Sequence, residues 1–269
     1  MKRVIDFMGM RHLALALSLI MVLASLGSLA IKGLNFGLDF TGGTLIELNY
    51  ERDADLNKIR SQLQEGGYPD AIVQSFGAVN DVLVRMPGDD PELGSQVAQV
   101  LRQDAGSQVT IKRVEFVGPA VGEELRDQGG LGMLLALAGI LVYLGFRYQW
   151  KFGIGAIVGL FHDVIITLGV FSYFQFTFDL TVLAAILAII GYSLNDTIVV
   201  FDRIRENFRF LRNTPLIDNI NISTTQTLLR TLATSISTLL AVGSLLMFGG
   251  DNLWGFAFAL FIGITAGTY

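Results

Sequence analysis

Two aspartates and one arginine lie inside long apolar stretches of this 269-residue chain, where a formal charge is hardest to keep. A charge at a bilayer centre costs about 2.5–3.5 kcal/mol on insertion scales, so residues that bear it are functional candidates. Asp163 follows His162 in one apolar window, and Gly155, Gly159, Asp163 and Thr167 recur every fourth residue along it. Gly155 and Gly159 form a GxxxG pair, a spacing that permits close helix approach. Asp196 ends the run Gly191-Tyr192-Ser193-Leu194-Asn195-Asp196, and Tyr192, Asn195, Asp196 and Val199 share one side of a helix. Ser223, Thr227, Arg230, Thr234 and Ser237 step by 4, 3, 4 and 3, a helical period drawn in hydroxyls around one guanidinium.

The chemistry open to this set is proton uptake rather than bond making. A buried arginine stays charged and needs a counter-ion. The helices carrying Asp196 and Arg230 are joined by a charged segment, so they run antiparallel with both residues close to the same membrane face. The expectation is an Asp196–Arg230 pair whose carboxylate takes a proton and loosens its grip, which biases a two-state helix arrangement. Tyr192, Asn195, Thr227, Thr234 and Asp163 are the supporting polar residues. Plainer readings stand beside it: Asp163 as a satisfied packing residue, Asp196 at the inner headgroups, Arg230 snorkelling to the interface. The chain has no cysteine and two histidines, which excludes thiol catalysis, zinc–thiolate sites and a multi-histidine metal centre. No GxxxxGK[ST] loop occurs. No catalytic residue, cofactor or metal is expected, and protons are the coupling ion. A net charge of −5 removes the global case for nucleic acid.

Composition names the environment of these residues. Hydrophobic residues make up 52% and charged ones only 16%, thin for a soluble surface. Apolar windows lie at 12–31 and at about 129–146, 152–174, 180–201, 229–248 and 253–269. Twenty residues rising 1.5 Å each match a hydrocarbon core of about 30 Å, so six membrane helices are expected, the last cut short at Tyr269. The first window follows a basic start and could be a signal peptide, but its length favours a retained anchor. Lys2, Arg3 and Arg11 precede helix one, Arg147 and Lys151 lie between helices two and three, and Arg203, Arg205, Arg209 and Arg212 lie between four and five. The segments 175–179 and 249–252 carry no basic residue. The positive-inside rule therefore puts the N-terminus, the 147–151 loop and a 202–228 loop in the cytoplasm, and segment 32–128 outside.

That outer segment has 9 basic and 16 acidic residues. Its pattern predicts a strand at the end of 38–50, after the Gly42-Gly43 turn, and a helix over 54–65 capped by Asp53 or Asp55. Strands at 71–77 and 80–86, a helix over 91–104 and a strand at 108–117 complete the order βαββαβ. That order suits a ferredoxin-like domain. The expected fold is thus an α-helical polytopic membrane bundle (1–31 and 129–269) with an inserted α+β ferredoxin-like extracytoplasmic domain (32–128). The domain's carboxylates show no acid–base pairing or metal spacing.

Several motifs in order carry a resemblance: Gly37-Leu38-Asp39-Phe40-Thr41-Gly42-Gly43, Phe116-Val117-Gly118-Pro119, His162-Asp163-Val164, and Gly191 through Asp196 to Asp202-Arg203-Ile204-Arg205-Glu206. Over nearly its whole length the chain resembles the SecF family of protein-export membrane subunits, in the resistance–nodulation–division superfamily. The resemblance implies a multi-pass protein of the bacterial cytoplasmic (inner) membrane that works with SecD beside the SecYEG channel on a translocating preprotein. There proton motive force drives outer-domain motions, and the family's proton-coupling carboxylate and essential arginine match Asp196 and Arg230. Family members usually continue beyond helix six into a basic tail, so the resemblance implies truncation after Tyr269. Besides these protein partners the chain meets membrane lipid and no nucleic acid. Two alternatives were weighed: proton-coupled small-molecule efflux, for which the outer segment is small, and an intramembrane aspartyl protease using Asp163 and Asp196, for which a GxGD signature is missing.

Overall fold

The structure, a computed structural model, describes residues 4–76, 78–88, 92–104, 109–147 and 150–269. Two compact units divide the chain: Met1–Asn35 with Gly132–Tyr269, and Phe36–Leu131. The expected basic residues Lys2 and Arg3, the loop residues 148–149 and the first residues of the expected 91–104 and 108–117 elements lie outside the described residues.

In the second unit a single helical turn, Leu38–Thr41, leads into β1 (Gly43–Tyr50), followed by α2 (Leu56–Glu65), β2 (Ile72–Phe76), β3 (Ala78–Met86), α3 (Leu93–Asp104) and β4 (Val109–Val117). The sheet order is β2-β3-β1-β4 with every pair antiparallel, the ferredoxin-like arrangement. Alternation along β1 and β3 sends Ile46, Leu48, Tyr50, Val82, Val84 and Met86 to the face where α2 and α3 bury Ile59, Leu63, Val97 and Leu101. Asp55 caps α2, accepting from the amides of Asn57 and Lys58. The Gly42-Gly43 turn needs both glycines. Each has positive φ (64° and 114°), and a Cβ on Gly43 would stand 2.3 Å from the Met86 carbonyl. On the opposite sheet face Asn49 and Lys112 hydrogen-bond Asp81 at 2.6 and 2.9 Å, holding its carboxyl below the usual carboxylate range.

The first unit is helical. α1 is Arg11–Lys32, α4 Pro119–Arg147 (shared with the second unit's range), α5 Trp150–Phe174, α6 Leu180–Phe210, α7 Leu216–Phe248 and α8 Asp251–Thr268. The segments Met8–Lys32, Pro119–Arg147, Phe152–Phe174, Leu180–Phe210 and Leu216–Phe248 are long and apolar enough to cross a membrane, and Asn252–Thr268 is a shorter apolar helix. This is a multi-pass membrane bundle. Two boundaries differ from expectation. The helix expected from about 129 opens earlier, at Pro119, because at a first helical position its missing N–H is no loss. Most of the expected 202–228 loop is helix: α6 runs on to Phe210 and α7 starts at Leu216, leaving 211–215 as the connection. Hydropathy windows end where charges begin, yet Asp202 to Phe210 keep the helical backbone as a polar extension.

Small residues set the closest helix contacts, but not the expected pair. A Cβ on Gly169 of α5 would stand 2.2 Å from Ser25 of α1, and Ser28 and Ser172 hydroxyls meet at 3.0 Å. On α8, a Cβ at Gly263 would meet Ile189 of α6 at 2.4 Å. A Cβ on Gly155 would lie 3.6 Å from the Phe201 ring and one on Gly159 would meet nothing within 4 Å, so among the described residues the GxxxG pair forms no tight seam within this chain. At the end of the bundle near 175 an aromatic cluster forms from Phe171, Phe174, Phe176, Trp254 and Phe258. At the other end Arg147 closes on Asp202 at 3.2 Å.

Candidate functional site

Asp196 sits at the middle of α6 and Arg230 near the middle of α7. At 1.5 Å per residue Asp196 stands about 21 Å from the end of α6 at Phe210, and Arg230 about 21 Å from the start of α7 at Leu216. The two helices are antiparallel neighbours across a five-residue connection, so the two residues share one height. The match of depths expected from sequence holds, while both residues lie deeper along their helices than a position close to the inner end.

The expected direct pair is not made. Among the described residues neither a hydrogen bond nor an ion pair joins Asp196 to Arg230. Asp196 Oδ2 is buried and has no hydrogen-bond partner. The Arg230 residue is exposed and lines a cleft of about 930 Å³ between α6 and α7, together with Asn195, Ile198, Val199, Gln226 and Thr227. A buried carboxylate oxygen without a donor is costly when ionised and far cheaper when protonated, because the proton removes the charge. The arrangement is suited to holding or releasing one proton at Asp196 within the field of a nearby guanidinium.

The hydroxyl stripe of α7 divides. Ser223 and Thr227 are buried, Arg230 and Ser237 are exposed, and the buried row continues from Asn219 through Ser223 and Thr227 to Ser235 instead. Steps of four overshoot the 3.6-residue turn, so this buried row winds around the helix, from Ser223 beside Asn207 of α6 to Ser235 beside Thr268 of α8. Thr234 is half-buried and its hydroxyl bonds back to the carbonyls of Arg230 and Thr231, away from any partner helix. Tyr192 donates to Ser235 Oγ at 3.2 Å, and Thr268 of α8 donates to the same oxygen at 2.9 Å, so α6, α7 and α8 meet at one hydroxyl. Neither Ser235 nor Thr268 stood out in the sequence.

Asp163 is 3% exposed and forms its own site. Ser193 Oγ donates to its Oδ2 at 2.6 Å, His162 Nδ1 is 2.9 Å from Oδ1, and a Cβ on Gly267 would lie 2.8 Å from Oδ2. Among the described residues no hydrogen bond links it to Asp196 or Arg230. A third polar layer, unread from sequence, ties Asn207 to Ser223 at 2.8 Å and to Gln226 at 2.9 Å, with Arg203 donating to that same Gln226. Asn207 lies in the charged stretch of α6 beyond the apolar window, where hydropathy gives no helical register. The group of three or more His, Asp or Glu that a metal needs is absent among the described residues.

Residues 96–269 match the family described as "Protein export membrane protein SecD/SecF, C-terminal", and residues 27–54 match "SecD/SecF GG Motif", which contains the Gly42-Gly43 turn. The chain belongs to the SecF family. It is 68% identical over 266 residues to the protein translocase subunit SecF of Pseudomonas aeruginosa, covering 98% of this chain and 87% of that protein. It is 44% identical over 272 residues to SecF of Escherichia coli O157:H7, covering 99% and 84%. Among solved structures, SecDF of Thermus thermophilus, described as a translocon-associated membrane protein, superposes with a TM-score of 0.91 at 38% identity. The match covers 100% of this chain but 37% of that longer one. A SecDF structure in a super-membrane-facing form gives 0.73 at the same identity and coverage. SecF proteins are translocase subunits, not enzymes, which removes the aspartyl protease reading.

Proposed function

We propose that this SecF-family chain partners SecD as a proton-driven accessory subunit of protein export, acting beside the SecYEG channel on a preprotein in transit. Its setting is the bacterial cytoplasmic (inner) membrane. The N-terminus and the 211–215 connection lie in the cytoplasm, because Arg11, Arg147, Arg203, Arg205, Arg209 and Arg212 gather at that end. The aromatic cluster at the opposite end suits the outer interface, and the 36–131 unit then lies outside.

One observation carries the reading: Asp196 Oδ2 is buried without a hydrogen-bond partner, at the same height along the α6–α7 hairpin as Arg230, which forms no ion pair among the described residues. In this account an ionised Asp196 draws Arg230 toward α6, and a proton on Asp196 removes the attraction. The α6–α7 hairpin then has two arrangements whose balance follows the proton. One charge crossing the membrane releases about 2.3 kcal/mol per 100 mV, enough to shift a two-state balance by more than tenfold. That the solved SecDF structures include a separately described form, less similar to this chain, supports a relative with more than one arrangement.

The test is Asp196→Asn, followed in vesicles after ATP-dependent initiation of export. Initiation should persist and stimulation by proton motive force should vanish. Undiminished stimulation would overturn the reading.

A further inference from the structure

The cleft between α6 and α7 carries more positive charge than its own acids neutralise. Its walls include Asp202, Arg203, Arg205, Glu206, Arg209 and Arg230. Both acids are already engaged: Asp202 pairs with Arg147 at 3.2 Å, and Glu206 pairs with Arg203 at 2.5 Å. Among the described residues Arg205 and Arg209 have no carboxylate partner. They lie four residues apart on α6, so both reach the same side of the cleft.

Polarity changes along the cleft. Toward the middle of the helices it is walled by the apolar Ile198 and Val199, and toward their ends by Arg205 and Arg209, with Phe210 at the rim. From Val199 to Arg209 the spacing along the helix is about 15 Å. A free inorganic anion would gain nothing from Ile198, Val199 and Phe210, and an acidic protein segment would leave polar backbone against them. A molecule with a phosphate at one end and an alkyl chain at the other satisfies both ends. Basic pockets between membrane helices at the inner face bind anionic headgroups for this reason.

We infer that the α6–α7 cleft is a binding site for an anionic glycerophospholipid, its phosphate held by Arg205 and Arg209 and an acyl chain lying along Ile198 and Val199. The cleft also holds Arg230 of the proton step, but Arg205 and Arg209, which grip the phosphate, take no part in that step. A bound lipid fills the space into which Arg230 opens, so the occupied cleft and the α6–α7 arrangement are linked.

The experiment reconstitutes the full chain, alone and with SecD, in nanodiscs of phosphatidylcholine with and without phosphatidylglycerol. Lipid retained on mild extraction is then counted by native mass spectrometry. Phosphatidylglycerol should be retained over phosphatidylcholine in both preparations. Arg205→Gln with Arg209→Gln should weaken retention roughly thirtyfold, given about fivefold per basic residue at a membrane surface. The Lys/Lys double variant should keep most of it, which separates loss of charge from loss of fold, and Arg212→Gln, outside the cleft, should change nothing. Added inorganic phosphate should not displace the lipid. Equal retention of phosphatidylcholine, full retention by the Gln/Gln variant, or displacement by phosphate would overturn the inference. Loss of the lipid when SecD is present would assign the cleft to the protein partner instead. None of these readouts involves proton flow, so they stand apart from the export test.

Discussion

Ser193 Oγ donates to Asp163 Oδ2 across 2.6 Å, fastening α5 to α6 one helical turn before Asp196. The bond joins the most deeply buried carboxylate among the described residues of the bundle to the helix that carries the proposed switch. Ser193→Ala removes a donor from a carboxyl that is 3% exposed, and an unsatisfied buried acceptor costs about 1–3 kcal/mol. The expected result is a lower thermal midpoint of the full chain in detergent, with Asp163→Asn less damaging because an amide still accepts from Ser193. A Ser193→Ala midpoint equal to wild type would show that this bond does not hold the two helices.

Gly169 and Gly159 lie on the same helix but should respond oppositely to an added methyl group. At Gly169 a Cβ would fall 2.2 Å from Ser25, so Gly169→Ala must push α1 off α5, at a cost of about 1–3 kcal/mol. Nothing lies within 4 Å of a Cβ on Gly159, and Gly159→Ala should be neutral or slightly stabilising through helix propensity. Thermal midpoints of the two variants, compared side by side, check this.

The contrast between these glycines shows how far the sequence could be read. Hydropathy, glycine turns and alternation revealed the helices and the βαββαβ order, because burial against lipid or a sheet face is a local property of each residue. The common depth of Asp196 and Arg230 followed from antiparallel neighbours. What escaped was rotation. Arg230 and Thr227 are three residues apart, yet one is exposed and the other buried, since the buried row winds around α7 instead of following the hydroxyl stripe. Ser235 and Thr268 gain their roles from a helix crossing that no spacing within one segment encodes. GxxxG likewise announces that helices can approach, not which chain approaches.

Tyr50 offers a pH test in the β-sheet unit. Burial raises its phenol from 10.0 to about 12, and its hydroxyl has no hydrogen-bond partner among the described residues. The unfolded chain therefore loses this proton first. The neutral phenol's stabilisation is complete below pH 10 and fades as pH rises toward 12. Tyr50→Phe should abolish that alkaline loss and stabilise the unit by about 1 kcal/mol at neutral pH, because it removes an unsatisfied buried group. Amide exchange along β1 and β3, followed against pH in both proteins, reads the outcome.

In the proposed mechanism a proton on Asp196 moves α6 against α7, a displacement that a distance measurement reads. The chain has no cysteine, so cysteines placed at the exposed Phe208 of α6 and Leu229 of α7 take spin labels at those sites alone. In liposomes holding the labelled chain with SecD, the distance distribution should shift when proton motive force is imposed and return when it is collapsed. In the Asp196→Asn background it should stay fixed. A wild-type distribution indifferent to the gradient, or an Asp196→Asn distribution that follows it, would contradict the account.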